Sequence, residues 1–352
     1  MTPFTPRPFI PRRLLSNPHL QPIFGNFLPR KDTLPAATAE LVEVSPATHY
    51  QIASRVLCHC HWQPESVRAG RLTVILLHGL EGSSQSQYVV GNANKMWRAG
   101  FNVVRMNMRN CGGRNFANMS ALSPTLYHSG LSSDVDSVMR SLTNRFGLQQ
   151  VALVGYSMGG NLVLKLVGDL ADTPPPNLRA VVGVSPAVDL GDSADALHLP
   201  VNRLYERRFL RALLKRFRRK AALFPRVYDP AHADGIGSLR DFDERITALY
   251  NGFAGASDYY HRAAAARVVD RITVPTLILH ALDDPFVRLT PATRAMLHLN
   301  PAITLIEPAH GGHCAFLAAA TPNDDGYWAE TTLLNFLQSQ TIPYSLPPTP
   351  CP

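Results

Sequence analysis

Residues Val151 to Leu166 read V-A-L-V-G-Y-S-M-G-G-N-L-V-L-K-L, and this stretch decides the fold. Its first four residues are apolar and predict a buried strand. Gly155-Tyr156-Ser157-Met158-Gly159 predicts a sharp turn, and Asn161 onward carries apolar residues at helical spacing. In such a G-x-S-x-G nucleophile elbow the glycines stand where a Cβ would collide with the neighbouring strand and helix. They let the serine adopt a strained backbone that lifts its hydroxyl above the sheet. The first turn of the following helix aims free N–H groups at the place where negative charge would develop.

Upstream, Leu72 to Leu77 is a continuous apolar run suited to a strand buried on both faces, and it ends in His78-Gly79-Leu80-Glu81-Gly82-Ser83-Ser84. This turn supplies what the elbow lacks: the Leu80 N–H pairs with the N–H of Met158 as an oxyanion hole. Ser86 to Ala99 predicts a helix, Phe101 to Met108 a strand, and Leu131 to Phe146 a helix. A polar loop runs from Asn107-Met108-Arg109-Asn110-Cys111-Gly112-Gly113 to Tyr127-His128-Ser129-Gly130. Two strand-helix crossovers in a row imply a parallel sheet. Glu40 to Val44 and Arg55 to Trp62 predict short strands entering it antiparallel, after a Pro-rich, basic, irregular arm over residues 1–35.

Downstream, Arg179 to Ser185 is a further buried strand, and then the rhythm breaks. Residues 189–272 contain no good strand, while Leu204, Phe209, Leu210, Leu213, Leu214 and Phe217 recur at helical spacing, so Val201 to Leu223 predicts an amphipathic helix or helix pair. An insertion at the C-terminal end of a strand covers the mouth of the sheet as a cap. The core resumes with a strand at Pro275 to His280, a helix at Thr290 to Leu299, a last strand at Ile303 to Ile306 and a closing helix at Gly326 to Leu337. The organisation is an arm (1–35), a core (36–188), a cap (189–272), the second part of the core (273–342) and a Pro-rich tail (343–352).

The chain of 352 residues is 45% apolar and 17% charged, as an ordinary globular protein is. Nine of its 34 basic residues but one of its 26 acidic residues lie between Arg203 and Lys220, so that segment alone accounts for the net charge of +8. The charge therefore describes one helix, not a nucleic-acid-binding fold, and its cationic face, left outward by the apolar stripe, suits peripheral contact with an anionic membrane surface. Five cysteines without C-x-x-C spacing fit a reduced compartment. Cys58-His59-Cys60-His61 reads as a strand that sends its cysteines to one face and its histidines to the other, not as a metal site. No run approaches a membrane span, and M-T-P-F-T-P-R-P-F-I-P-R-R-L-L lacks the apolar core of a secretion signal, which makes a cytoplasmic location the expectation.

A serine hydroxyl needs an imidazole to take its proton and a carboxylate to orient that imidazole. The chain offers them in the order Ser157, then Asp283 or Asp284, then His, each at the C-terminal end of a predicted strand. That order is the one the α/β-hydrolase fold uses. His313 follows the last strand in a Gly-Gly-His turn whose small residues let the ring reach the serine, a freedom that His310 lacks.

H-G-L-E-G-S-S at 78–84, C-G-G at 111–113, Y-H-S-G at 127–130, G-Y-S-M-G-G-N at 155–161, D-D-P-F at 283–286 and G-G-H at 311–313 occur in one order, with N-P-H-L-Q at 17–21 and L-R-D-F-D at 239–243. Together they resemble the YheT-like branch of the α/β-hydrolases, and the resemblance covers nearly the whole chain. It implies a mostly parallel sheet flanked by helices with a helical cap. It also implies a serine esterase or lipase acting on short- to medium-chain esters or monoacylglycerols, with Asp284 as the acid of the triad and neither metal nor cofactor. Asn110 stands where the family usually has glycine, and Ala281 where many hydrolases do. Two other functions compete: acyl transfer to an alcohol, and binding without catalysis on a hydrolase scaffold. Epoxide and haloalkane hydrolysis are disfavoured because they need an aspartate where this chain has Ser157.

Overall fold

The computed structural model describes residues 4–49, 51–112, 119–322 and 324–341. The chain enters through α1 (Leu20–Phe27), forms β1 (Thr38–Ser45) and β2 (Ser54–His61), and passes α2 (Glu65–Arg68). Alternation follows: β3 (Thr73–Leu77), α3 (Gln87–Arg98), β4 (Asn102–Met106), α4 (Ser132–Phe146), β5 (Val151–Tyr156), α5 (Met158–Leu170) and β6 (Leu178–Val184). Helices then take over, with α6 (Leu190–His198), α7 (Arg203–Leu223), α8 (Leu239–Phe242), α9 (Leu249–Asn251) and α10 (Ala256–Ala263). The core closes with β7 (Thr276–Leu279), α11 (Pro291–Leu299), β8 (Ile303–Ile306) and α12 (Trp328–Ser339).

The strands form one sheet in the order β1-β2-β4-β3-β5-β6-β7-β8. The β1–β2 and β2–β4 pairs are antiparallel and all the others parallel. β3, β4, β5 and β7 are buried at every residue, which only helices on both faces allow. On one face Ile75, Leu77 and Leu153 pack with Val138 and Leu142 of α4 and Val163 and Val167 of α5. On the other, Val74, Leu76 and Val154 pack with Met96 of α3 and Trp328, Leu333 and Phe336 of α12. The strand at 54–61 divides as its alternation predicts: Cys58 and Cys60 are in the core, while the His61 ring accepts from Arg105 Nε (3.1 Å) and bonds the Pro35 carbonyl.

Two expectations change. The arm is not irregular throughout, since Leu20, Ile23, Phe24 and Phe27 share one side of α1, and the Asn17 side chain accepts from the His19 and Leu20 N–H groups ahead of it. Nor do all the basic residues of α7 point outward. Glu206, Leu210, Leu213, Phe217, Lys220 and Ala221 face inward on what is a single helix of 21 residues. Lys220 is fully buried and donates to the Ser120 carbonyl (2.6 Å) and to that of Ser123. Burial, reinforced by Arg216 and Arg109, lowers its pKa to about 7. Gly113 and the tail 343–352 lie outside the described residues.

Candidate active site

Ser157 sits between β5 and α5 at φ 54°, ψ −117°, a conformation that L-residues take only under tertiary constraint. The constraint is close packing. A Cβ on Gly155 would lie 2.1 Å from the Gly159 carbonyl oxygen, and one on Gly159 would lie 2.6 Å from that of His78. The elbow is thereby wedged against the turn after β3. The N–H groups of Leu80 and Met158 have no hydrogen-bond partner among the described residues, and both residues line a cavity that Ser157 also lines. His78, just before that turn, accepts from the Met108 N–H through Nε2 (3.2 Å) and so carries its proton on Nδ1, which donates to the Gly79 carbonyl (2.8 Å). Burial lowers its pKa to about 4, and it stays neutral.

The two aspartates after β7 have different partners. Asp284 is 2% exposed; it receives the Nδ1 proton of His313 at 2.8 Å through one oxygen and the N–H groups of Phe286 (3.1 Å) and Val287 (2.9 Å) through the other. Asp283 instead accepts from the Gly312 N–H (2.8 Å) and faces the half-exposed His310 at 3.3 Å. Burial works to raise the Asp284 carboxyl, but His313 holds it below the usual carboxylate range. Burial likewise opposes a charged His313 ring; Cys314 and Asp284 outweigh it and raise the pKa. The His313 Nε2 lies 3.5 Å from the Cys314 sulfur, and the Ser157 hydroxyl makes no hydrogen bond among the described residues. Ser157 and His313 nonetheless line one cleft, and catalytic hydrogen bonds are commonly long or unmade until a substrate is bound. The His313 turn holds two non-glycine residues at positive φ, Cys314 at 64° and Phe316 at 45°, while Gly312 takes 56° without strain.

The family pattern for the alpha/beta hydrolase fold matches residues 73–320. The candidate esterase YheT of Escherichia coli (strain K12) is 30% identical over 335 residues, covering 94% of this chain and 92% of that protein. The chain belongs to the YheT-like branch of the α/β-hydrolases. Human phospholipase ABHD3 is 27% identical over 73% of this YheT-like chain and 61% of its own length, and the monoacylglycerol lipase of Saccharomyces cerevisiae (strain ATCC 204508 / S288c) is 27% identical over 68% and 54%. This chain therefore spans little more than half of each of those two proteins. Among solved structures, 2,6-dihydroxy-pseudo-oxynicotine hydrolase superposes with a TM-score of 0.56 at 18% identity, covering 88% of this chain and 69% of that one, a likeness of fold.

In this YheT-like hydrolase Ser157 stands at the junction of two cavities. One, of about 120 Å³, runs beneath the cap and is walled by Leu190, Leu197, Leu213 and Phe242. The other, of about 170 Å³, opens between α1 and α7 past Ile23, Phe27, Tyr205 and Arg208, with His313 on its wall. Several residues here carry no motif of chemistry. Arg216 of α7 donates to both carboxylate oxygens of Glu81 (2.9 Å each) and to the Asn110 carbonyl, and the Tyr127 hydroxyl donates to Glu81 as well (2.6 Å). The cap thereby grips the residue next to Leu80, and Glu81 itself is held at φ 56°.

Y-H-S-G thus gains a role through its neighbours. Tyr127 joins that grip, the Ser129 carbonyl accepts from Asn161 of the elbow helix (2.8 Å), and the Ser129 N–H donates to Tyr259 of the cap (2.9 Å). His128 is half-buried against Phe253 and Tyr259, and desolvation there, with Arg109 and Arg262, takes its pKa to about 3. Asn110 stands at φ 64°, where asparagine is the residue best able to replace glycine. Asp243, the last residue of L-R-D-F-D, lines the cavity beneath the cap at the start of a π-helical turn and accepts from Thr247 (2.7 Å) and Tyr260 (2.8 Å); burial raises its pKa to about 6. Pairs across the fold of this kind leave no periodic trace in a sequence.

Proposed function

We propose that this chain is a serine esterase that cleaves carboxylic esters of short to medium acyl chains, monoacylglycerols among them, through an acyl-enzyme. Ser157 attacks the ester carbonyl, and His313 takes the hydroxyl proton through Nε2 and returns it to the leaving alcohol. Asp284 fixes the ring with Nδ1 protonated and stabilises the imidazolium, and the Leu80 and Met158 N–H groups receive the developing oxyanion. Water then attacks the acyl-enzyme by the same route in reverse. The observation that carries the reading is the 2.8 Å bond from His313 to the buried Asp284, on a ring that shares a cleft with a serine in an elbow conformation. The apolar cavity beneath the cap suits the acyl chain, and the second cavity, with its more polar wall, suits the alcohol. Relatives named as a candidate esterase and a monoacylglycerol lipase support the same class.

Labelling with a fluorophosphonate, followed by p-nitrophenyl esters of increasing chain length, tests the reading. A labelled Ser157 and turnover that peaks at short to medium chains are expected. An unlabelled protein that hydrolyses none of the esters would leave a binding function on a hydrolase scaffold.

A further inference from the structure

Two surfaces that the ester chemistry leaves unused lie side by side. On α1, Ile23, Phe24 and Phe27 are 43%, 42% and 67% exposed. On α7, Arg203, Arg207, Arg208, Arg211, Lys215, Arg218 and Arg219 are exposed, and at about 100° per residue they fall within roughly half the circumference of the helix. Leu204, 79% exposed, lies among them. None of the first six forms an ion pair among the described residues. The two helices meet where His19 stacks on Tyr205, ring centroids 5.9 Å apart, and where Arg208 sits 5.6 Å from the centre of the Phe27 ring. The second cavity opens between them, with Ile23, Phe27, Tyr205 and Arg208 at its rim and Ser157 and His313 within.

Single exposed apolar residues are common on monomers and need no explanation. Here Ile23 and Phe27 border the entrance to Ser157, and with Phe24 they adjoin a cationic arc whose residues from Arg203 to Arg218 form no ion pair among the described residues. We propose that α1 and the outward face of α7 together form a peripheral docking surface for an anionic lipid bilayer. The α1 side chains enter the interfacial layer, the arginines rest on lipid phosphates, and a lipid ester passes to Ser157 through the second cavity. An acidic polypeptide or a nucleic acid would satisfy the arginines and leave Ile23, Phe24 and Phe27 in water; a bilayer surface satisfies both. Among the described residues no helix is long and apolar enough to cross a membrane, so the contact is interfacial.

The proposal rests on the ester-hydrolase reading only for the molecule delivered, and its test reads binding without turnover. The full chain is sedimented with vesicles of phosphatidylcholine alone and with vesicles of phosphatidylcholine and phosphatidylglycerol in equal parts, at low and high salt. Binding to the mixed vesicles that weakens on the order of ten-fold at high salt is expected, with little binding to the neutral ones. Phe24→Ser, and Arg207→Gln with Arg211→Gln, lie outside both cavities. Each should weaken binding by roughly ten-fold while leaving hydrolysis of a water-soluble short ester unchanged. Equal binding to both vesicle types, binding to neither, or a Phe24→Ser protein that binds as the parent does would overturn the proposal. So would stronger retention by homopolymeric RNA than by mixed vesicles, which would make the arc a polyanion site. If the parent binds mixed vesicles but hydrolyses no ester, the docking surface stands and the ester-hydrolase reading falls.

Discussion

The core side and the cap side of the crevice are built by opposite means. On the core side, backbone does the positioning: Ser157 and Glu81 stand at positive φ in turns that follow buried strands, as Cys314 does in the turn beyond β8, and close packing of main chain holds the elbow. On the cap side the residues that reach the core stand on the regular helix α7, and long side chains do the positioning, as Arg216 does at Glu81 and Lys220 at Ser120. The difference teaches that the reacting groups are set by sterics, which are local and rigid, while the cover over them is set by buried charge, which is non-local and sensitive to its partner.

The sharpest break in that comparison lies at its rigid end. Ser157→Ala is expected to lose several powers of ten in kcat and all fluorophosphonate labelling with no loss of thermal stability, because the elbow is held by Gly155 and Gly159 and not by the hydroxyl. A variant of parental activity would end the nucleophile assignment. Next, Asp284→Asn should lower kcat by about 10⁴, leaving the imidazole in the wrong tautomer. Asp283→Asn should cost far less, since Asp283 holds the Gly312 N–H and not the ring. Steady-state rates on one ester decide between them.

At the cap end, removing either Arg216 or Glu81 leaves a mostly buried charge without its partner, and each of Arg216→Met and Glu81→Gln should cost about 3 kcal/mol in urea unfolding. The double variant should recover part of that loss, and additive losses would show that the pair is not coupled. Both single variants should reduce kcat more than they raise KM if the grip orients the Leu80 peptide.

The smallest effect concerns pH. Burial favours the neutral form of Asp243, with a folded pKa of about 6 against the usual carboxylate value of 3.8, so the folded state binds more protons than the unfolded one between those limits. The contribution of Asp243 to stability is therefore fullest below about pH 4 and is lost as pH rises through 6. The melting temperature of the parent minus that of Asp243→Asn should fall across this window, and a difference independent of pH would contradict it.

Legibility in the sequence followed the same division. The strands at Leu72–Leu77, Val151–Val154 and Thr276–Leu279 announce themselves because a strand buried on both faces must be apolar throughout, and the elbow and the G-G-H turn do so because only small residues fit there. The helix at Arg203–Leu223 was legible from the apolar spacing within residues 201–223. What was not legible is which charges of α7 turn inward. Arg216 sits at the edge of the apolar face, and its partners, Glu81 and the Asn110 carbonyl, are more than a hundred residues away. α1 was hidden by the prolines around and within it, although the apolar spacing at 20, 23, 24 and 27 was there to be read.

The arm also couples the two ends of the chain. Gln21 donates to the Leu317 carbonyl and accepts its N–H, the Trp328 indole donates to the Arg7 carbonyl, and a Cβ on Gly312 would lie 2.6 Å from the Pro18 oxygen. These contacts span about 300 residues of sequence. A chain made from its N-terminus must hold this arm in reserve through nearly all of synthesis, while the parallel strands assemble, before the loop bearing His313 exists to receive it. The turn that bears His313 thus meets the arm only when nearly the whole chain has been made, and a nascent chain that has folded its elbow still lacks the ring proposed to activate Ser157.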